Sequence, residues 1–179
     1  MVTYTDLIKD FVNTSHVHES VEELNTAAAL AAWFATRGLV GTRVRATEAD
    51  LRDALALREA LRSILLAHNG VPCELAGPTS VLDEAARRAG VELRFAGDEP
   101  DLVPRVGGIP GALGRVVVAV YSAMNEGTWE RLKACRADDC LWVFVDNAKN
   151  RSRAWCSMQD CGNRAKARSF RERRRAAPA

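Results

Sequence analysis

The stretch from residue 135 to residue 161 reads CRADDCLWVFVDNAKNRSRAWCSMQDC and is bounded by matched cysteine pairs. Cys135 and Cys140 form the first pair, and Cys156 and Cys161 form the second, with fifteen residues between the pairs. Two such pairs can hold one ion between two knuckles, and four thiolates are the ligands of a tetrahedral structural zinc site. The spacing therefore predicts Zn²⁺ bound by these four cysteines.

Disulfide bonds in a secreted domain are the alternative interpretation of four cysteines. The first ten residues argue against secretion, because they include Asp6, Lys9 and Asp10 and lack the apolar core of a signal peptide. No apolar run reaches the roughly 18 residues that a membrane span needs. We therefore expect a cytoplasmic protein without a membrane segment. The fifth cysteine, Cys73, has no partner at ligand spacing and is interpreted as a small apolar residue or a free thiol.

The residues around the second pair resemble the CGNR zinc-finger family, which is named for a tetrapeptide found here at 161–164. In that family the finger is treble-clef-like: a zinc knuckle, a hairpin, and a helix whose first turn supplies a ligand. Ala154 departs from the pattern, because the family often has a further basic residue there. The resemblance extends over about residues 132–175, through WVFVD at 142–146, NRSR at 150–153, WCSM at 155–158 and CGNR at 161–164.

An N-terminal domain called ABATE usually precedes the finger in this family. DFVNT at 10–14, LAAWF at 30–34 and Gly38-Leu39 are similar to its early motifs. Proteins of this architecture are regarded as bacterial transcription regulators with a link to stress. The resemblance implies an ABATE-like helical domain over 1–127, serving as a sensor or dimerisation module, and a CGNR-type finger with a basic C-terminal helix over 128–179.

Hydrophobic periodicity predicts an α+β, mostly helical chain: a helical N-terminal domain with a small β-hairpin, followed by the treble-clef-like C-terminal zinc finger. Thr47 is the expected N-cap of the longest helix, which should end at Asn69-Gly70. A short first helix is predicted to end at residues 13–14. Three further helices are predicted to cover about residues 21–37, 79–88 and 113–125. The hairpin is predicted to pair Val91–Phe95 with Leu102–Val106.

Charge is distributed unevenly, although the formal net charge is only +2. Residues 131–179 hold 13 Lys/Arg against 5 Asp/Glu, a balance of +8, while residues 1–130 hold 12 against 18, a balance of −6. The finger is therefore the part of the chain expected to approach a polyanion such as DNA. An Arg-rich, solvated terminus that serves solubility is the alternative.

The expected helix after Cys161 has a basic face. Arg164, Arg168, Arg171 and Arg175 recur at helical spacing, and Lys166, Arg173 and Arg174 widen the strip. Such a helix suits contacts with DNA phosphates. The predicted nucleic-acid-binding residues are Arg164, Lys166, Arg168, Arg171, Arg174 and Arg175.

Catalysis has little support in the sequence. Histidine occurs only at positions 16, 18 and 68, without a Ser-His-Asp or Cys-His signature around it. A zinc ion saturated by four cysteines has no open position for a reacting water. We predict that the protein is not an enzyme.

Three hypotheses about function remain open. The first is a DNA-binding regulator whose N-terminal domain senses a small-molecule effector, forms a homodimer, or both. The second is a zinc-stapled protein-interaction module, and the third is an enzyme with a site in the N-terminal domain. Asn13, Thr14 and His16 are the predicted ligand-binding residues of that domain.

Overall fold

The computed structural model describes residues 3–95 and 100–176. In those ranges the chain forms six α-helices and three two-stranded antiparallel hairpins, which confirms the α+β, mostly helical class. The helices are α1 (Tyr4–Val12), α2 (Ala27–Thr36), α3 (Glu48–His68), α4 (Ala76–Ala89), α5 (Gly108–Asn125) and α6 (Asn163–Ala176). The strands are β1 (Ser15–His16), β2 (Val21–Glu22), β3 (Val91–Phe95), β4 (Pro100–Pro104), β5 (Leu132–Ala134) and β6 (Val143–Val145).

The longest helix, α3, has the predicted ends. The Thr47 hydroxyl accepts from the Asp50 N–H at 3.1 Å, and the Asp50 carboxylate accepts from the Thr47 N–H at 2.8 Å. This reciprocal capping box satisfies two backbone donors that the first turn leaves without helical partners. Asn69 caps the other end, as the sequence predicts.

The helix predicted from residue 21 begins later. Val21 and Glu22 instead form β2, which pairs with β1 across a short 3₁₀ turn. Thr26 then caps α2 by accepting the Ala29 N–H at 3.1 Å. The capping chemistry of Thr26 sets this boundary, and the apolar periodicity alone places it about five residues too early.

The β3–β4 hairpin also differs from the prediction in its second strand. β4 covers 100–104 instead of 102–106, with Leu93 opposite Leu102 and Val91 opposite Pro104. The pairing continues through the backbone beyond β4, since the Arg105 N–H donates to the Gly90 carbonyl at 3.1 Å.

The main hydrophobic core lies between α1, α2, α3 and α5, with Phe11, Phe34 and Leu61 fully buried in it. Leu132 and Val143, from β5 and β6, belong to the same core. The finger hairpin is therefore packed into the helical domain. No helix within 3–95 and 100–176 is long and apolar enough to cross a membrane.

Candidate metal centre and nucleic-acid interface

The four predicted cysteine ligands meet in space. Their sulfur atoms all lie within 4.8 Å of one another, with 3.5 Å between Cys140 and Cys156 and 3.6 Å between Cys156 and Cys161. A tetrahedron of sulfurs with metal–sulfur bonds of about 2.3 Å has edges of about 3.8 Å. The cluster could therefore hold a metal ion with little rearrangement.

Local backbone structure places each cysteine pair. Cys135 directly follows β5, and its N–H donates to the Trp142 carbonyl at 2.9 Å, so the first knuckle is the loop between β5 and β6. Cys161 lies in a π-helical turn over Met158–Gly162 that leads into α6. Ser157 caps that turn by accepting the Asp160 N–H at 3.2 Å. The fourth sulfur is thus positioned by the first turn of the helical segment, as the resemblance implies.

A small second core surrounds the sulfurs. Cys135, Cys161 and Phe144 are buried together, and Trp155 packs against them. Trp142 lies outside this core and contacts His16 edge to face, with 4.8 Å between ring centroids. A core this small cannot stabilise a separate domain, because about forty residues bury too little apolar surface.

The thiols strongly affect one another's ionisation. A hydrogen bond from the Cys140 thiol lowers the pKa of Cys135 to about 5, and the same bond raises the pKa of Cys140. Burial raises the pKa of Cys156 to about 12. One thiolate is favoured and further ionisation is opposed by like charge, so four thiolates at this spacing require a cation among them.

The first two arginines of the basic helix are engaged within the finger. Arg164 donates from Nη2 to Asp139 at 3.2 Å and to the Cys161 sulfur at 3.4 Å. Arg168 donates to Asp138 at 3.1 Å. Both acidic residues belong to the first knuckle, so these contacts hold α6 against it.

The other predicted DNA-contacting residues do not pair with knuckle acids. These residues are exposed, and they are Lys166, Arg171, Arg174 and Arg175. Within the described ranges, none of the four has an acidic side chain within 4.0 Å. The basic strip predicted from the sequence thus has two parts. The clamped part, Arg164 and Arg168, is paired with acidic residues of the first knuckle, and the open part consists of the four exposed residues without such partners.

Polar side chains join the finger to the helical domain. Asn13 donates to the Val143 carbonyl at 2.9 Å and accepts the Val143 N–H at 2.8 Å. Arg62, buried on α3, donates to the Leu141 carbonyl at 3.0 Å and to the Val12 carbonyl at 2.8 Å. Asn69 donates to the carbonyls of Ala134 and Ala154, which lie just before the two cysteine pairs in the chain, at 2.7 and 2.8 Å. These bonds bind the knuckle directly to α1 and α3.

The predicted ligand-binding residues of the N-terminal domain lie close to this junction. Both polar atoms of the Asn13 side chain are used by Val143, and the buried Thr14 hydroxyl donates to the Phe11 carbonyl at 2.8 Å. His16 lies 3.4 and 3.3 Å from the carboxylates of Glu19 and Glu23. Asn13 and Thr14 thus bond backbone groups of β6 and α1, and their role in ligand binding stays a prediction.

Sequence reasoning missed Arg58 and Arg62. Arg58 is buried and forms a two-pronged ion pair with Glu22 at 2.6 and 2.7 Å. The available signal was helical phase, because Arg58 and Arg62 lie four residues apart on the same face of α3 as Leu51 and Leu65. Charged residues at core-facing positions indicate buried partners, although not their identity.

These observations define a class: a helical domain fused to a four-cysteine finger with a basic terminal helix. Residues 5–126 match the family model of ABATE, described as "Putative stress-induced transcription regulator", and residues 131–174 match the CGNR zinc finger. The chain therefore belongs to the ABATE family and has a CGNR zinc finger at its C-terminal end. No curated protein matches it significantly. Neither family description names an enzymatic activity.

Proposed function

We propose that the protein is a transcription regulator that contacts DNA through a zinc-stapled finger. One observation supports this most directly: a metal-binding cluster and two ion pairs fix the start of α6, while Lys166, Arg171, Arg174 and Arg175 extend from it into solvent. A fixed helix with an exposed strip of basic side chains suits a phosphate backbone.

Zinc is the metal that we propose for the cluster. Four cysteine thiolates in a tetrahedron are typical of structural zinc sites, and soft ligands of this kind disfavour Mg²⁺ and Ca²⁺. When bound, the ion would neutralise thiolate charge and crosslink the knuckle to the start of α6. Its role would be structural, since four cysteines leave no open position.

The open and clamped parts of the basic strip have different proposed roles. Arg164 and Arg168 position α6 on the first knuckle, through Asp139 and Asp138. Arg171, Arg174 and Lys166 are the proposed phosphate contacts, with Arg175 near the end of the helix. This division modifies the sequence-based prediction, in which Arg164 and Arg168 are DNA contacts like the other residues of the strip.

Duplex binding measured against salt concentration tests the proposal. Replacing Lys166, Arg171 and Arg174 together by Ala should weaken binding to duplexes of any sequence. The slope of log affinity against log salt should flatten by about 0.9 for each phosphate that the variant no longer neutralises. The matched control replaces Arg43, Arg45 and Arg52, three exposed arginines of the helical domain, and should leave the slope unchanged.

An equal effect of the two triple variants would indicate nonspecific charge attraction and would contradict the proposal. So would the absence of measurable duplex binding by the metal-loaded wild-type protein. The interaction-module hypothesis would then lead, because the knuckle acids already attract basic groups of the finger itself.

A small-molecule effector, if the helical domain senses one, has a more suitable site than Asn13. A groove of about 1130 Å³ lies between α1, the end of α2, α5 and the β3–β4 hairpin. Leu7, Leu39 and Val118 line it, together with Arg94 and Arg115. Apolar walls with a few charged groups are typical of ligand sites. A Val118→Trp substitution should fill the groove and abolish any thermal shift that an effector causes in the wild type.

A further inference from the structure

The β3 strand is the outer edge of its hairpin. β4 packs against α5, whereas β3 makes fewer contacts with the helices and is mostly exposed, with Leu93 55% and Phe95 75% exposed. In the part of the chain that the structure describes, β4 is the only strand paired with β3. Large apolar side chains on a free strand edge are a favourable template for another strand.

The alternation of backbone hydrogen bonds along the β3–β4 ladder shows which N–H and C=O groups of β3 point away from β4. The Arg105 N–H donates to the Gly90 carbonyl, and bonded and non-bonded pairs alternate along an antiparallel ladder. With the observed register, the N–H and C=O groups of Val91, Leu93 and Phe95 point away from β4. β3 therefore has three residues whose backbone is oriented to bond another strand.

The opposite edge of the hairpin is blocked. Pro100 and Pro104 lie opposite Phe95 and Val91, at positions of β4 whose N–H groups would point outward, and proline has no N–H. Proline at outward positions is a common protection of sheet edges against further pairing. β4 has this protection and β3 does not.

We propose that β3 pairs with β3 of a second copy of this chain, antiparallel and about a two-fold axis at Leu93, to make a four-stranded sheet. Leu93 then lies opposite Leu93 of the second copy, and Val91 lies opposite Phe95. Since both members of each pair are outward-bonding residues, every new backbone hydrogen bond has a donor and an acceptor. The exposed Leu93 and Phe95 side chains bury one another on one face of the sheet.

The charges of β3 favour this partner over an unrelated strand. In the two-fold arrangement Glu92 lies opposite Arg94 of the second copy, and Arg94 lies opposite its Glu92. Directly opposed unlike charges stabilise a strand pair, and like charges destabilise it. The sequence of β3 is thus self-complementary in charge as well as in side-chain size. The dimer does not depend on the proposed metal or on DNA contact.

Charge exchange between the two positions tests the dimer. Mass measured by light scattering or sedimentation, up to about 100 µM protein, should give twice the 19.6 kDa of one chain for the wild type. Glu92→Arg and Arg94→Glu should each be monomeric, because each creates two like-charged pairs across the axis. An equimolar mixture of the two variants should form the heterodimer, since its opposed charges are again unlike.

The mixture distinguishes a pairing defect from a folding defect, because misfolded variants would not recover a dimer. Leu93→Pro gives an independent check: it removes an outward N–H, which the hairpin itself does not use, and should also yield a monomer. The proposal is overturned by a wild-type protein that remains at 19.6 kDa throughout. It is equally overturned by single charge variants that dimerise as well as the wild type. A monomer that captures an unrelated extended peptide on β3 would also overturn it.

Discussion

Asn13 and Val143 are 130 residues apart in the chain and exchange two hydrogen bonds. The Asn13 amide offers β6 a donor and an acceptor, as a neighbouring strand would. Because Val143 is fully buried, its backbone groups have no access to water and depend on this side chain. The helical domain thus supplies the hydrogen-bonding partners for the Val143 backbone in β6, the strand that follows the first knuckle.

Replacing Asn13 by Ala should lower the free energy of unfolding by about 1–3 kcal/mol, the cost of leaving buried backbone groups unpaired. Chemical denaturation of the metal-loaded protein measures the change. Asn25→Ala, at an exposed position, is the matched control and should change it by less than about 0.5 kcal/mol. Equal effects of the two substitutions would show that the Asn13 bonds are not stabilising.

Arg62→Leu should be more destabilising than Arg52→Leu. Arg62 is 3% exposed and bonds two backbone carbonyls from different parts of the chain, whereas Arg52 is exposed on the same helix. Each carbonyl left unpaired costs about 1–3 kcal/mol, and the leucine recovers part of this by apolar burial. Denaturation curves give the comparison. Two variants of the same stability would contradict a structural role for Arg62.

A Gly114→Ala substitution should destabilise the protein, although alanine is the better helix former by about 1 kcal/mol. A Cβ atom at Gly114 would lie 2.3 Å from the Cβ of Ala89, where α4 and α5 touch. Overpacking of this kind costs about 1–3 kcal/mol. Gly41→Ala, with no atom within 4 Å of the added Cβ, is the control. A rise in melting temperature for Gly114→Ala would refute the close packing.

The Glu22–Arg58 ion pair should make stability depend on acid pH. Burial of Glu22 tends to raise its pKa, but hydrogen bonds from Arg58 and the Leu24 N–H outweigh it and hold the pKa below 4.5. Because the folded pKa is the lower one, the stabilisation is fully present above pH 4.5 and is lost as pH falls through the folded value.

The stability difference between the wild type and Glu22→Gln should therefore shrink as the pH falls below 4.5. Both proteins contain the same cysteines, so acid release of metal affects them alike. Unfolding measured along a pH series gives this difference. A difference that stays constant through the acid range would rule out the ion pair as its source.

Local chemistry in the sequence predicted much of this structure. The four cysteines meet as their spacing predicts, and Thr47 and Asn69 bound α3 as their capping chemistry predicts. The predicted start of α2 was wrong, because the apolar periodicity there hid β2 and the Thr26 cap.

Contacts between distant segments could not be predicted in the same way. The partners of Asn13 and Arg62 depend on how α1, α3 and the knuckle come together, and no local pattern specifies that arrangement. The same holds for Arg164 and Arg168, whose ion pairs with Asp139 and Asp138 require the folded finger. Helical periodicity placed Arg164 and Arg168 on one face with Arg171. It could not show that the first two pair with acidic residues while Arg171 stays exposed.

The metal content of two cysteine variants tests the central claim most directly. The wild type and Cys73→Ser, which removes a cysteine outside the cluster, should each contain one zinc per chain by elemental analysis under reducing conditions. Cys161→Ser should contain none and should unfold at lower temperature, since zinc binding by such fingers contributes about 10–16 kcal/mol. A reduced wild type without stoichiometric metal, or a Cys161→Ser variant that holds as much zinc as Cys73→Ser, would contradict the account.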